Sequence, residues 1–153
     1  MAALTRVRRR LANQSGAELL ELAIALPMLL AVFAGMIDFA VLFQRYQVIT
    51  NAAREGARVG TLPNYATGDI QARVTSYLSE SGLTASAPAP AVSYNTEPVT
   101  PGGPSIDTVT VVVQYPHEFI FLSPAAQLMG GTAKGDLMLA AASTMRRELV
   151  AGP

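Results

Sequence analysis

Residues 22–43 read LAIALPMLLAVFAGMIDFAVLF, and no other part of the chain is apolar over so many residues. It is apolar throughout except at Pro27 and Asp38. With a rise of 1.5 Å per residue, an α-helix of this length covers about 33 Å, enough to cross a hydrocarbon core of roughly 30 Å. Because a single segment in lipid must pair its backbone groups internally, we predict a transmembrane helix. Pro27 has no backbone N–H, so we expect it to loosen or kink the first turns.

Basic residues gather just before this stretch. Four of them, Arg6, Arg8, Arg9 and Arg10, lie in the first ten residues, and only Arg45 follows the span closely. The positive-inside rule therefore predicts that the N-terminus lies in the cytoplasm and the remainder outside. The rest of the chain has seven basic and eleven acidic residues. A spread basic surface for nucleic acid is not expected from that balance.

Acidic residues flank and interrupt the span. Glu18 and Glu21 lie at its entrance, and Asp38 lies in its outer third. A charged group at the bilayer centre costs about 2.5–3.5 kcal/mol, and less near the interface. Glu18 fits a solvated interfacial carboxylate. For Glu21 the sequence leaves open an interfacial position or a cationic partner, and for Asp38 an interfacial position on a tilted helix or a contact with another protein.

Two cleavage sites are compatible with this N-terminus. A secretory signal peptide would be cut after Ala34, where Val32 and Ala34 occupy the positions that accept small residues. Two features disfavour that cut: acidic residues separate the arginines from the apolar core, and apolar sequence continues for nine residues beyond Ala34. The second candidate lies in the stretch GAELLE at residues 16–21.

This second stretch resembles the processing site of type IV pilins and pseudopilins. In those proteins a membrane-embedded prepilin peptidase cleaves after a glycine that precedes the apolar helix. The resemblance implies that Gly16 ends a basic leader of residues 1–16 and that Ala17 begins the mature chain, with Glu21 as its fifth residue. It also implies that Glu21 neutralises the α-amino group of its own or a neighbouring subunit during assembly.

Three further stretches of sequence, occurring in this order, make the resemblance specific to one family. They are ELAIALP at residues 21–27, GMIDF at 35–39 and NAAREGAR at 51–58. Together they resemble the TadE/TadG-like minor pseudopilins of the Tad (Flp) pilus system, over about residues 15–60. The resemblance implies a single-pass protein of the bacterial inner membrane, with prepilin peptidase, other pilins and minor pseudopilins as partners. It also implies roles in helix packing or partner contact for Pro27, Gly35 and Asp38. Major Flp pilins differ, since their mature chains are very short and usually carry a tyrosine after the glutamate.

We predict that the helix continues to Gly60, so that residues 17–60 form a transmembrane and exit helix. Helical spacing places four residues of the exit part on one face: Tyr46, Ile49, Ala53 and Ala57. Arg54 and Arg58 lie on another face, where Glu55 is placed to pair with Arg58. That second face is compatible with a solvated surface and with a docking surface for partner subunits.

Residues 61–153 are predicted to form a small α+β domain with an antiparallel sheet on the periplasmic or extracellular side. A helix is expected over residues 69–80, capped by Thr67 or Asp69. Residues 85–105 hold half of the prolines and are expected to form a loop, with room for a strand at 92–96. Alternation predicts a strand at 107–115. Residues 119–122 form a short apolar run, and residues 136–145 fit a closing strand or a helix.

Motifs for catalysis or cofactor binding are not found in the sequence. There is no cysteine and a single histidine, His117, which we predict to be a surface or turn residue rather than a metal ligand. We therefore expect a role in assembly without enzymatic activity, cofactor or metal. Two alternatives stay open: an anchored envelope protein that binds something unrelated to pili, and an exported soluble domain cut after Ala34.

Overall fold

The computed structural model describes residues 2–83, 87–100, 103–128, 130 and 137–147. Within these ranges it describes side chains from Gly16 onward. The side chains of the leader arginines therefore lie outside the described part of the chain. The same holds for Asp136, the first residue of the predicted closing element.

The first element is one long helix, α1 (Ala2–Gly60), and it contains the predicted transmembrane and exit segments. The helix continues through Pro27. It ends at Gly60 as predicted, where the Thr61 N–H donates to the Ala57 carbonyl at 3.1 Å and the chain turns away.

The second helix, α2 (Thr67–Glu80), begins two residues earlier than predicted. Asp69 supports its start by accepting a 2.9 Å hydrogen bond from the Ala66 N–H. Gly82 closes the helix with a φ of 77°, and the Leu83 N–H donates to the Leu78 carbonyl at 2.9 Å. Glycine suits this left-handed position because it has no Cβ.

Three strands form an antiparallel sheet in the order β1-β2-β3, so the predicted α+β fold class is confirmed. They are β1 (Ala91–Pro98), β2 (Ser105–His117) and β3 (Leu137–Arg146). β1 is longer than the short strand expected inside the proline-rich loop, because its whole length pairs with β2. Pro98 is tolerated because β1 is an edge strand. The closing element is a strand, and its backbone pairs with β2 from His117 to Thr108.

A short third helix, α3 (Leu122–Leu128), was not predicted. The sequence showed only an apolar run before Ser123 and Pro124. Proline in a first turn is a helix-start signal, since its missing N–H would have no partner there.

The core lies between one face of the sheet and the two longer helices. Each element contributes one periodic set of buried residues: Ile49, Ala53 and Ala57 from α1, Ile70, Val74 and Leu78 from α2, and Val109, Val111 and Val113 from β2. Tyr46, expected on the same face of α1, is exposed instead. The exit part of α1 thus helps to bury the apolar face of the domain that follows it, residues 61–153, which we call the outer domain.

Close approach of α1 to its neighbours depends on Gly56 and Gly60. A Cβ at Gly56 would lie 2.5 Å from Val74 Cγ2, too short for a real contact, and 3.2 Å from Val111 Cγ1, which would be a tight one. A Cβ at Gly60 would lie 2.9 Å from Val109 Cγ2. The two glycines, one turn apart, therefore let the sheet and α2 pack directly on the α1 backbone.

Candidate functional site

The predicted processing site lies on an uncovered part of α1. Gly16, Ala17 and Glu21 are all exposed, and a Cβ added at Gly16 would meet nothing within 4 Å. Every residue from 16 to 33 is exposed, so no other described part of the chain covers this segment. A peptidase or a neighbouring helix can therefore approach it from any side.

The uncovered part of α1 is apolar around its whole circumference. Ile24, Leu29 and Leu30 are each more than half exposed, and helical geometry directs them about 100–140° apart around the axis. A helix that is apolar all round belongs in lipid or among other helices. Within the described residues, α1 is the one helix long and apolar enough to cross a membrane. The chain is therefore compatible with a single-pass membrane anchor near its N-terminus.

Asp38 is buried by the chain's own outer domain, with 1% of its surface exposed. Its Oδ1 accepts hydrogen bonds from the N–H groups of Ile120 at 2.8 Å and Phe121 at 3.2 Å. Its Oδ2 accepts from Phe121 at 3.1 Å and Leu122 at 2.8 Å. We call this contact the Asp38 clamp.

The Asp38 clamp covers the start of α3. The first N–H groups of a helix have no partner within it, and an ionised carboxylate is a strong acceptor for them. Of the three donors only Leu122 belongs to α3, as its first residue, so Asp38 holds the turn that enters the helix and caps the helix itself at one N–H. The sequence left open an interfacial position or a contact with another protein; the structure shows a third situation, a contact within the chain.

Two turns further along α1, Arg45 contacts the end of β2. Its Nη1 lies 3.1 Å from His117 Nδ1, and its guanidinium carbon lies 5.8 Å from the centre of the Tyr115 ring. Because a guanidinium group only donates, Nδ1 of His117 accepts, and the neutral ring carries its proton on Nε2. Arg45 and Asp38 thus fasten the same end of the outer domain to α1.

His117 is buried, with 1% of its surface exposed, so its prediction as a surface or turn residue was wrong. It is the last residue of β2, paired with Leu137, and its ring packs edge-on against Phe119 at 5.0 Å. Its Nε2 is buried and has no hydrogen-bond partner among the described residues. Burial, reinforced by the charge of Arg45 and opposed by that of Asp38, lowers the pKa of His117 below its ordinary value.

A groove of about 510 Å³ opens beside this pair of contacts. Its lining residues are Arg45, Tyr115, Pro116, Glu118, Phe119 and Ile120. Within the described part of the chain, no three His, Asp or Glu side chains come together as a metal site would require.

A charged cluster joins α1 to α2 on the opposite end of the domain. Arg58 donates to Glu55 through Nε at 2.9 Å and Nη2 at 2.8 Å, so the predicted pair is confirmed. Arg73 of α2 donates to the same carboxylate at 3.1 Å. These hydrogen bonds, that from Arg58 above all, lower the pKa of Glu55 to about 2. Arg54 and Arg58 remain exposed, as a solvated surface and a docking surface both require.

No contact among the described residues requires a glycine at position 35. A Cβ built there would meet nothing within 4 Å, in contrast to Gly56 and Gly60. Pro27, eight residues earlier, is exposed and touches no element of the outer domain. The structure therefore leaves both residues available to lipid or to another helix.

The structure brings together only some of the residues singled out from the sequence. Gly16, Ala17 and Glu21 share one exposed segment, whereas Asp38 is joined to residues 120–122, which the sequence did not connect with it. The donors are backbone N–H groups of apolar residues, so no side-chain pattern marked them. Pro124 was the available signal, because proline favours the first turn of a helix and the N–H groups at a helix start need an acceptor.

Comparison with known proteins identifies one relationship. No significant match was found among curated proteins or among solved structures. Residues 16–58 match the family model described as TadE-like protein, and the chain is consistent with a TadE/TadG-like protein.

Proposed function

We propose that this protein is a minor pseudopilin that takes part in assembly of a Tad (Flp) type IV pilus, by priming, capping or regulating the filament. One observation carries the proposal: the TadE-like match begins at Gly16, the glycine after which a prepilin peptidase would cut, and extends through the exit helix. A general association with the Tad pilus follows from that family, and the pseudopilin role is the finer step that we add.

Cleavage after Gly16 would place a new α-amino group at Ala17, one helical turn from Glu21. An exposed carboxylate at the membrane boundary is stabilised when it pairs with a cation, because the surrounding medium screens charge poorly. Glu21 is exposed and therefore accessible to the α-amino group of a neighbouring subunit. We propose that this pairing sets the register of the transmembrane helix within a bundle of pilin helices.

The remaining apolar surface of α1 supplies the packing contacts. The small residues Ala31, Ala34 and Gly35 lie in one stretch of the span and permit close approach of a second helix. On this proposal the N-terminus lies in the cytoplasm, the outer domain lies in the periplasm or in the extracellular pilus, and the mechanism is packing and charge pairing without catalysis. Its partners are prepilin peptidase and other pilins and minor pseudopilins of the Tad system.

Charge-neutral substitution of Glu21 tests the proposal. Glu21→Gln keeps the size of the side chain and removes the charge, so we expect it to abolish pilus assembly while the protein is still made and cleaved. Glu18→Gln is the matched control, since Glu18 is an exposed glutamate one turn earlier on the same helix. Pili are counted by electron microscopy, with protein level and cleavage followed by immunoblot.

Normal piliation with Glu21→Gln would contradict the proposal. It would favour the alternative of a single-pass anchored protein whose outer domain binds something unrelated to pili. Loss of pili with both variants would show that any change near the cleavage site is harmful, and it would remove the specific role proposed for Glu21.

A further inference from the structure

Exposed apolar side chains gather at the end of the outer domain that faces the predicted membrane. We call this set the apolar rim; its members are Ile120, Phe121, Leu122, Leu128, Leu137 and Met138. They lie at one end because Leu137 and Met138 begin β3 opposite His117 and Pro116, and residues 120–122 follow directly after β2. Large patches of this kind mark a surface that something else covers.

The opposite end of the same sheet carries more polar side chains, and Val99 is the large apolar residue exposed there among the described residues. Asp107 of β2 pairs with Thr96 and accepts a hydrogen bond from its hydroxyl group, and Arg146 of β3 pairs with Thr108. The outer domain is therefore polarised along its strands, with the apolar side chains concentrated near α3.

The Asp38 clamp sets the height of the apolar rim relative to the membrane span. Asp38 lies 16 residues after Leu22, which corresponds to about 24 Å along a helix axis. A hydrocarbon core of roughly 30 Å that begins near Leu22 extends beyond that level. Residues 120–122, bonded directly to the Asp38 carboxylate, therefore lie at the depth of the outer-leaflet boundary.

The backbone N–H groups of residues 120–122 are hydrogen-bonded within the protein, as a lipid surrounding requires. Non-helical backbone is tolerated at membrane depth only where its polar groups are satisfied by protein or water. Asp38 supplies acceptors for three successive N–H groups, at residues 120, 121 and 122. The carboxylate and the backbone thus satisfy each other, and the apolar side chains are left facing outward.

Within the described residues, α3 packs against α1 alone and buries none of its own residues. Apolar burial in the domain core therefore does not hold it in place. Lipid at the outer boundary of the span, continuous with the lipid around α1, is the surrounding that would cover its exposed leucines.

We propose that the apolar rim is embedded in the outer-leaflet interface of the membrane that α1 crosses. The outer domain then has a second membrane contact beside the transmembrane helix, and the two contacts together hold its orientation relative to the bilayer. This inference rests on the membrane span and does not depend on a role in pili.

Single tryptophans test the proposal, because the chain has none of its own. The full chain is reconstituted in phosphatidylcholine vesicles whose acyl chains carry bromine, a fluorescence quencher, either near the glycerol backbone or deep in the core. Phe121→Trp reports on the apolar rim, and Phe33→Trp reports on the middle of the span. Tyr94→Trp is the control outside the membrane: Tyr94 pairs with Val109, eight residues along β2 from His117 and so roughly 26 Å away.

The proposal predicts blue-shifted emission from Phe121→Trp that is quenched most by bromine near the glycerol backbone. Phe33→Trp should be quenched most by deep bromine, and Tyr94→Trp by neither. Ile120→Trp, at the neighbouring position, repeats the measurement and should behave as Phe121→Trp does.

Three results would overturn the proposal. Unquenched emission from both rim variants beside a quenched Phe33→Trp would refute the membrane contact alone and leave the proposed function untouched. Emission that is blue-shifted but unquenched, and that depends on the protein-to-lipid ratio, would mean that a second copy covers the rim. Unquenched Phe33→Trp would remove the span itself, and the inference with it.

Discussion

Asp38 Oδ2 accepts a 2.8 Å hydrogen bond from the N–H of Leu122, which lies 84 residues further along the chain. The same carboxylate also accepts from the two preceding N–H groups, so one side chain holds three successive backbone donors. This contact, together with that of Arg45 and His117, fastens the membrane-proximal end of the outer domain to α1.

Asp38→Asn should release this end of the domain. An amide has one acceptor oxygen, and its NH₂ group would face backbone donors, so at least one partly buried N–H loses its partner. Such a loss costs about 1–3 kcal/mol. We expect faster amide hydrogen exchange at residues 120–122, measured by mass spectrometry on the protein in detergent micelles.

Asp107→Asn is the control for the same chemical change. Asp107 accepts from the Thr96 hydroxyl at 2.6 Å, at the other end of the sheet. The Asp107→Asn variant should leave amide hydrogen exchange at residues 120–122 unchanged. Unaltered exchange in Asp38→Asn itself would show that the clamp does not hold α3.

The free energy of unfolding should decrease as the pH is lowered through the range in which histidine titrates. Because the pKa of His117 in the folded protein lies below its ordinary 6.5, the unfolded chain binds more protons once the pH falls below that value. The free energy of unfolding therefore decreases from about pH 7 to about pH 5. Protonation also turns Nδ1 into a donor and breaks its hydrogen bond with Arg45. Glu55, whose pKa falls from 4.5 to about 2 on folding, changes the stability mainly below about pH 5.

His117→Asn separates this effect from other groups, since asparagine can accept from Arg45 and does not titrate. Denaturant unfolding in micelles at several pH values should give a shallower pH dependence for this variant than for the native protein. Equal slopes in the two proteins would exclude His117 as the source of the pH dependence.

Local patterns predicted the regular elements of this fold well. The spacing of Ile70, Val74 and Leu78 indicated α2, and the alternation of Val109, Val111 and Val113 indicated β2, because each set faces one core. β1 was underestimated because its pairing with β2 over eight residues is a tertiary effect that proline content does not reveal.

Local sequence patterns could not predict that Asp38 and His117, at the membrane-proximal end, are buried. His117 is buried because β3 and Phe119 lie against it, and Asp38 is buried because residues 120–122 reach back across the chain. Neither contact has a periodicity or a complementary side chain in the sequence. By contrast, the segment around Gly16 and Glu21 was recognisable, since its signal is contiguous.

Gly56→Ala should destabilise the outer domain. The new Cβ would lie 2.5 Å from Val74 Cγ2, so the helix or the valine must shift. Overpacking of this kind costs about 1–3 kcal/mol, measurable by denaturant unfolding. Gly68→Ala is the control, since a Cβ there meets nothing within 4 Å and alanine favours the helix. Equal stability of Gly56→Ala and the native protein would contradict the close packing of α1 on α2.

Gly35→Leu should affect assembly without affecting the fold. A Cβ at Gly35 meets no atom within 4 Å, so the outer domain should unfold at the same denaturant concentration. If Gly35 permits close approach of a second helix, the larger side chain should reduce the number of pili at equal protein level. Met36→Leu, at the adjacent exposed position, should leave piliation unchanged. Normal piliation with Gly35→Leu would refute a packing role for this glycine.

The intact mass of the protein from native membranes, with and without a functional prepilin peptidase, shows whether the chain is processed as a pseudopilin. Cleavage after Gly16 predicts the mass of residues 17–153 when the peptidase is present and the uncut mass when it is absent. A chain that starts at Gly35, or a chain that stays uncut in the presence of the peptidase, would contradict the assignment as a pseudopilin.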